Sequence, residues 1–205
     1  MDKEIIAAMA SDVLGIHAPR DFQIEGIHHC IYNDDTYLVV NRGTADGKSL
    51  IAMGTSVLRR RVGVILEPLI SLGSDQVEKA TIRDHNMEPY HIDEHKNQDA
   101  SLLRQRLKYL TKEEADQKPI LLYLGPTAMI SKQWRPTLEK LSRRGLVSFF
   151  CIDEAHEVEQ SGRCFRPDFQ TATALIGELI KLMPHPVPRI LLSATLRLSD
   201  EATVT

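Results

Sequence analysis

The sequence lacks long hydrophobic runs and an excess of charge of either sign. No apolar run approaches the roughly 18 residues that a membrane-spanning helix requires. The acidic residues Asp2 and Glu4 come too early for a secretory signal peptide. The 205 residues carry 25 Lys and Arg against 28 Asp and Glu, which gives a net charge of −3. Bulk charge therefore gives no indication of a nucleic-acid partner, which would need a local basic face.

Cysteine is also scarce, and the three that occur (Cys30, Cys151 and Cys164) form no C-x-x-C pair. This usage indicates reduced thiols inside a cell and gives no zinc pattern. The chain has no internal repeat and no low-complexity tract, and its length fits one large domain with a full core. We expect a single domain over residues 1–205, with an N-terminal helical part (1–36) and a core (37–205).

Short apolar runs alternate with amphipathic segments along the chain. Strands are predicted at Tyr37–Val40, Val62–Leu66, Tyr90–Ile92, Ile120–Leu124, Leu146–Ile152 and Ile190–Leu192. Helices are predicted at 3–16, from Asp21 onward, and at 75–83, 102–110, 128–144 (with an interruption at Pro136) and 169–183, whereas 111–118 is predicted to be a charged surface loop. The alternation implies an α/β fold with a mostly parallel sheet flanked by helices.

The stretch from Val39 to Leu50 has the order strand, small-residue turn, helix that a phosphate-binding loop requires. Backbone N–H groups at a helix N-terminus point at an anion, and Gly47 lets the backbone approach a phosphate. Lys48 can reach the β- and γ-phosphates, and the Ser49 hydroxyl can ligate Mg²⁺. The predicted nucleotide-binding loop comprises Gly43, Thr44, Ala45, Asp46, Gly47, Lys48 and Ser49.

This loop departs from the usual patterns. Arg42 stands where G-x-x-x-x-G-K-[ST] has glycine, and Ala45 stands where the related T-G-x-G-K form has glycine. Asp46 adds a carboxylate near the expected phosphates. For this loop alone, the alternative is an ordinary strand–turn–helix with a surface lysine.

Two adjacent acids, Asp153 and Glu154, follow the apolar strand that ends at Ile152. The carboxyl ends of strands are where open α/β sheets place their ligands. The first acid can order the water shell of Mg²⁺, and the second can polarise an attacking water. His156, just beyond, is placed to sense the γ-phosphate side. The alternative is a strand end capped by acids at a helix start, but the combination with Gly-Lys-Ser favours a nucleotide site.

Several further motifs make the chain, from about Val13 to about Thr195, resemble the first RecA-like domain of the RecQ-type DNA helicases. Pro68–Val77 is similar to the Pro-Leu-Ile-Ser-Leu and Asp-Gln-Val of the family's motif Ia, and Asp-Glu-Ala-His matches its acidic box. Further matches are Gly15, Arg20 and Gln23 (motif 0), Tyr123–Pro126 (a strand end), Phe165–Phe169 (the loop after the acidic box) and Ser193-Ala194-Thr195 (motif III).

The resemblance implies a three-layer RecA-like fold that binds ATP and Mg²⁺. Gln23 would bind the adenine edge, with Arg20 beside it. The catalytic residues would be Glu154, Asp153, Lys48 and His156. Mg²⁺ would be held by Ser49 and Asp153. Pro68, Ser71, Gly125, Thr127 and Arg166 would face the backbone of single-stranded DNA or a duplex junction, and Ser193 and Thr195 would relay the nucleotide state. A helicase of this kind acts inside the cell, in the nucleus if the organism is eukaryotic.

The resemblance also has gaps. The family's stacking tyrosine is replaced by Ile16, and the tryptophan of the loop after the acidic box by Ser161. The family's second RecA-like domain, with its arginine finger, has no counterpart in these residues, and such a finger is worth roughly 10³–10⁵ in rate. We therefore expect the isolated chain to hydrolyse ATP slowly, if at all, and not to unwind DNA.

Two other functions are weighed against the helicase prediction. The same fold can serve as a non-catalytic module that binds nucleic acid or a partner. A small-molecule kinase would leave Asp-Glu-Ala-His, Ser-Ala-Thr and Pro-Leu-Ile-Ser-Leu together unexplained. The H-x-x-E-H pattern from His91 to His95 is not interpreted as a zinc site, because a strand at Tyr90–Ile92 would not place both histidines on one helical face.

Overall fold

Six parallel strands form the centre of the protein in a computed structural model that describes residues 2–43, 45–67, 87–92, 97–156 and 167–195. The spatial order of the strands is β1-β6-β5-β2-β4-β3, and every neighbouring pair is parallel. Each residue of β2, β4 and β5 is buried, as expected of apolar strands that are covered on both faces. The strands are β1 (Tyr37–Asn41), β2 (Val62–Leu66), β3 (Glu88–Ile92), β4 (Ile120–Leu124), β5 (Val147–Ile152) and β6 (Arg189–Ser193).

Helices cover both faces of this sheet, which confirms the predicted α/β layers. The first three helices share one apolar cluster with one face of the sheet, and the later helices share a second cluster with the other face. None of the helices in the described part of the chain is long and apolar enough to span a membrane. The helices are α1 (Lys3–Asp12), α2 (Asp21–Tyr32), α3 (Ser49–Arg59), α4 (Asn97–Tyr109), α5 (Lys112–Gln117), α6 (Pro126–Ile130), α7 (Arg135–Arg143) and α8 (Pro167–Lys181).

The prediction of a charged loop at 111–118 is wrong, because α5 occupies this segment. The Thr111 hydroxyl accepts a hydrogen bond from the Glu114 backbone N–H at 3.2 Å, and the Glu114 carboxylate accepts one from the Thr111 N–H at 2.8 Å. This reciprocal capping box satisfies two donors of the first turn. Ala115 packs into the core while the charged residues face solvent. The predicted helix at 75–83 lies outside the described residues.

Arginines at and just after the end of α3 connect it to β5 and to neighbouring helices and loops. Arg59 donates to the carbonyl oxygens of Ser148 at 3.1 Å and Cys30 at 2.8 Å. Arg61, which has a positive φ of 62°, donates to Asp116 at 2.9 Å and to the Gly145 carbonyl at 3.1 Å. These bonds fix the C-terminal end of α3, so the position of its N-terminal end, where the phosphate loop joins it, is also restrained.

Candidate functional site

The predicted phosphate loop connects β1 to α3 and closes around the side chain of Lys48. Gly47 has a φ of 75°, a conformation that favours glycine. Lys48 is only 5% exposed, and its ammonium donates to the carbonyl oxygens of Arg42 at 2.9 Å and Gly43 at 3.2 Å. Ser49 is the first residue of α3. A buried ammonium and a helix N-terminus thus meet at one point, which is the arrangement that binds a phosphate.

Helix α2 contacts this loop through Arg20 and Gln23. The amide nitrogen of the buried Gln23 donates to the Gly47 carbonyl at 2.9 Å, and its amide oxygen accepts from the Arg20 backbone N–H at 2.8 Å. The Arg20 guanidinium pairs with the Asp46 carboxylate and holds the pKa of that carboxyl below its usual value. The carboxylate of Asp46 is therefore turned toward α2 and keeps its negative charge. If Gln23 binds adenine as predicted, its amide would have to give up one of these two hydrogen bonds.

The acidic box follows β5 and is bonded to the strands on both sides. The Asp153 N–H donates to the Leu66 carbonyl at 2.9 Å, and the Ala155 N–H donates to the Leu192 carbonyl at 2.8 Å. Glu154 has a φ of 49°, which is rare outside glycine and clusters at functional sites. Its own N–H donates to an Asp153 carboxylate oxygen at 2.9 Å. The backbone thus fixes where both carboxylates leave the sheet.

Lys48 and the acidic box lie at the same end of the sheet, separated by one strand. β6 lies between β1, which leads into the loop, and β5, which leads into the acids. Burial raises the pKa of Asp153 to about 6, and the ammonium of Lys48 opposes this shift. The strand order therefore places at one end of the sheet the residues that the sequence predicts to share one magnesium–triphosphate.

Of the predicted coupling residues, Ser193 contacts the acidic box and Thr195 bonds to Ser193. The His156 Nδ1 atom lies 3.1 Å from the hydroxyl of the fully buried Ser193 and 3.3 Å from the Glu154 carboxylate. The Thr195 N–H donates to the same Ser193 hydroxyl at 3.2 Å. The end of β6 is thereby linked to the acids, so a movement of the acids would also move Ser193 and Thr195.

Of the residues predicted to face DNA, Gly125 and Thr127 lie at the carboxyl end of β4. Gly125 is the N-cap of α6, and the Thr127 hydroxyl donates to Asp168 at 3.2 Å. They therefore lie at the same end of the sheet as Lys48 and the acidic box. Pro68, Ser71 and Arg166, together with Thr44 of the phosphate loop, lie outside the described residues.

The sequence analysis missed Glu67, which directly follows β2. Its side chain is 3% exposed, and among the described residues neither carboxylate oxygen has a hydrogen-bond partner. Burial, assisted by the charge of Asp153, raises the pKa of Glu67 to about 8. The available signal was the one that identified Asp153, since both acids come immediately after a buried apolar strand.

Comparison with known proteins assigns the family. The family model described as DEAD/DEAH box helicase matches residues 20–204. The chain belongs to the DEAD/DEAH box helicase family. Among relatives of this helicase chain, the RecQ-like DNA helicase BLM of Xenopus laevis is 32% identical over 182 residues. The probable ATP-dependent DNA helicase RecS of Bacillus subtilis (strain 168) is 32% identical over 152 residues. The predicted resemblance to RecQ-like helicases is thus confirmed.

The helicase chain is much shorter than these relatives. The BLM alignment covers 88% of the chain but 12% of the relative, and the RecS alignment covers 74% and 27%. A solved structure titled "Crystal Structure of DUF1998 helicase MrfA bound to DNA and AMPPNP" superposes with a TM-score of 0.59 at 17% identity. That superposition covers 97% of the chain and 27% of the MrfA chain, and it supports the α/β fold.

Proposed function

We propose that residues 1–205 form the ATP-binding domain of an ATP-dependent, RecQ-like DNA helicase. A second RecA-like domain would complete the nucleotide cleft and so couple ATP hydrolysis to DNA binding and unwinding. The observation that carries this proposal is that the buried Lys48 and Asp153 lie at the same end of the sheet, separated by one strand. The relatives are named as DNA helicases, which supports the choice of reaction. The proposed reaction on DNA takes place inside the cell and, in a eukaryote, in the nucleus.

The residues of the site fit a magnesium–nucleotide. In the described part of the chain the Lys48 ammonium donates to two carbonyl oxygens of the loop, which phosphate oxygens can replace. Mg²⁺ commonly binds through one or two carboxylates together with phosphates and water. Asp153 and the Ser49 hydroxyl supply this partial set, and among the described residues no three His, Cys, Asp or Glu side chains form a protein-only metal cage. When bound, the ion neutralises charge on the phosphates.

The roles of the remaining side chains follow from their positions. Glu154 accepts a proton from the attacking water at its carboxylate, which the left-handed backbone holds beside Asp153. His156 and Ser193 report the state of that carboxylate to the end of β6. Arg20 and Gln23 join α2 to the loop, so binding of the base is transmitted to the phosphate-binding backbone.

We propose that the DNA backbone binds at the same end of the sheet. Gly125 and Thr127 would contact DNA phosphates together with Pro68, Ser71 and Arg166. Contacts of this type position a strand without reading its sequence. DNA affinity is therefore expected to fall as the salt concentration rises.

The test is binding of a fluorescent ATP analogue in the presence of Mg²⁺. Lys48→Ala is compared with the wild type and with Lys181→Ala, which removes an exposed lysine of α8. A charged hydrogen bond is worth about 1.5–3 kcal/mol, so Lys48→Ala is expected to weaken binding about tenfold or more, while Lys181→Ala binds as the wild type does. Equal, negligible binding by all three would contradict the proposal and favour the non-catalytic module. Strand separation by the isolated chain would contradict the need for a second domain.

A further inference from the structure

Glu67 and Asp153 occupy equivalent positions on neighbouring strands. Leu66 of β2 pairs with Ile152 of β5, and the next residues along the two strands are Glu67 and Asp153. The pairing continues to this point, because the Asp153 N–H donates to the Leu66 carbonyl at 2.9 Å. Paired residues of parallel strands place their side chains on the same face, with the strands about 4.8 Å apart. The two carboxyl groups therefore leave the sheet side by side.

The face they share is the one that the phosphate-loop helix covers. Ile65 and Cys151, two residues before Glu67 and Asp153, belong to the apolar cluster that contains Leu50 and Met53 of α3. Side chains of a strand alternate between faces, so Glu67 and Asp153 lie on this face as well. Both acids are thus on the side of the sheet from which Lys48 approaches.

Glu67 is buried without a partner in the described part of the chain. It is 3% exposed, and neither of its carboxylate oxygens is hydrogen-bonded. The hydroxyl of Tyr123, at the end of the adjacent β4, is also buried and unbonded, and the charge of Glu67 helps to raise the pKa of that hydroxyl. Buried polar groups are nearly always paired, because an unpaired one costs free energy. Such groups beside Asp153 indicate that a ligand completes their hydrogen bonds.

We propose that Glu67 is a positioning residue of the magnesium–nucleotide site, where its carboxylate accepts hydrogen bonds from water held by Mg²⁺ beside Asp153. Mg²⁺ gives up its water reluctantly and usually keeps several molecules in protein sites. Outer-sphere carboxylates orient such groups, and their loss typically weakens metal affinity 10- to 100-fold. Glu67 therefore lowers the Mg²⁺ concentration at which nucleotide binding is half-saturated. This inference rests on the proposed function.

The experiment measures binding of a fluorescent ATP analogue while Mg²⁺ is titrated, and again in excess EDTA. Glu67→Gln removes the charge and keeps the shape, Glu67→Asp keeps the charge, and Glu113→Gln removes an exposed carboxylate of α5 as the matched control. We expect Glu67→Gln to raise the half-saturating Mg²⁺ concentration about 10- to 100-fold and to leave binding in EDTA unchanged. Glu67→Asp is expected to recover part of the loss, and the control to match the wild type.

The outcomes separate this inference from the proposed function. If Lys48→Ala loses nucleotide while Glu67→Gln keeps the wild-type Mg²⁺ dependence, the role of Glu67 is overturned and the nucleotide site stands. If the wild type binds no nucleotide at any Mg²⁺ concentration, both proposals fail. Glu67→Met, which places an apolar side chain of similar volume in the same space, provides a folded variant if the amide is not tolerated. An unchanged Mg²⁺ requirement in that variant also overturns the role of Glu67.

Discussion

The stability of the domain without nucleotide is expected to fall as the pH rises, and Glu67 is expected to cause much of the change. Its pKa is about 8 in the folded protein against an ordinary value of 4.5. Between these values the folded state holds a proton that the unfolded chain has released. The contribution of Glu67 to the free energy of unfolding is therefore fully present below pH 4.5 and is lost as the pH rises through about 8. Each pKa unit corresponds to 1.36 kcal/mol, so the loss is on the order of a few kcal/mol.

The assay is urea unfolding at several pH values between 5.5 and 8.5 in EDTA, with the wild type and Glu67→Gln side by side. Asp153 has a folded-state pKa of about 6 and contributes in the same direction, but mostly below that pH. The difference between the two proteins above pH 6 therefore isolates Glu67. For a domain of about 200 residues, 1 kcal/mol corresponds to about 2–4 °C in Tm, so heat unfolding would also resolve it. Parallel stability–pH curves for the two proteins would refute the reasoning.

Substitutions at four further positions test the packing, a helix cap and the phosphate loop. Gly63→Ala would put a Cβ 2.5 Å from the Phe149 ring, so we expect urea unfolding to show a loss of roughly 1–3 kcal/mol in the free energy of unfolding. Gly177→Ala in α8 is the matched control, because its Cβ meets no atom within 4 Å, and it should stabilise the protein by about 0.5–1 kcal/mol. Thr111→Ala removes the N-cap of α5 and should cost roughly 0.5–2 kcal/mol by the same assay, while Thr111→Ser should retain most of it. Asp46→Asn removes a negative charge beside the bound phosphates, so a fluorescent ATP analogue should bind severalfold more tightly; unchanged or weaker binding would show that the ion pair with α2 is what organises the loop.

The strands were predictable because a strand covered on both faces is apolar throughout. β2, β4 and β5 begin and end within one residue of their predicted bounds. The position of the acidic box at a carboxyl strand end was predictable for the same reason, since Asp153 follows directly on such a run. Most of the fold and the two main motifs of the site were therefore predictable from the order of strands and helices along the chain.

Contacts that depend on the spatial order of the strands could not be predicted from the sequence. The sequence places Glu67 directly after a strand, but its position beside Asp153 depends on β2 being the neighbour of β5, which the order of the strands along the chain does not determine. The bonds of Gln23 to the loop likewise join residues more than twenty positions apart. The α5 error had a different cause, because a dense run of charges was given more weight than the local capping pattern of Thr111 and Glu114.

The place of β6 in the sheet has a consequence for biosynthesis. β6 separates β1 from β5, and its Arg189 pairs with Tyr37, which the ribosome adds 152 residues earlier. At 5–20 residues per second, about 8–30 s pass between the two events. Throughout that interval β1 lacks β6, its only neighbour among the described strands, so the nascent chain exposes the unpaired edge of the strand that leads into the phosphate loop. Chaperone supply and growth temperature should therefore affect the yield of this domain.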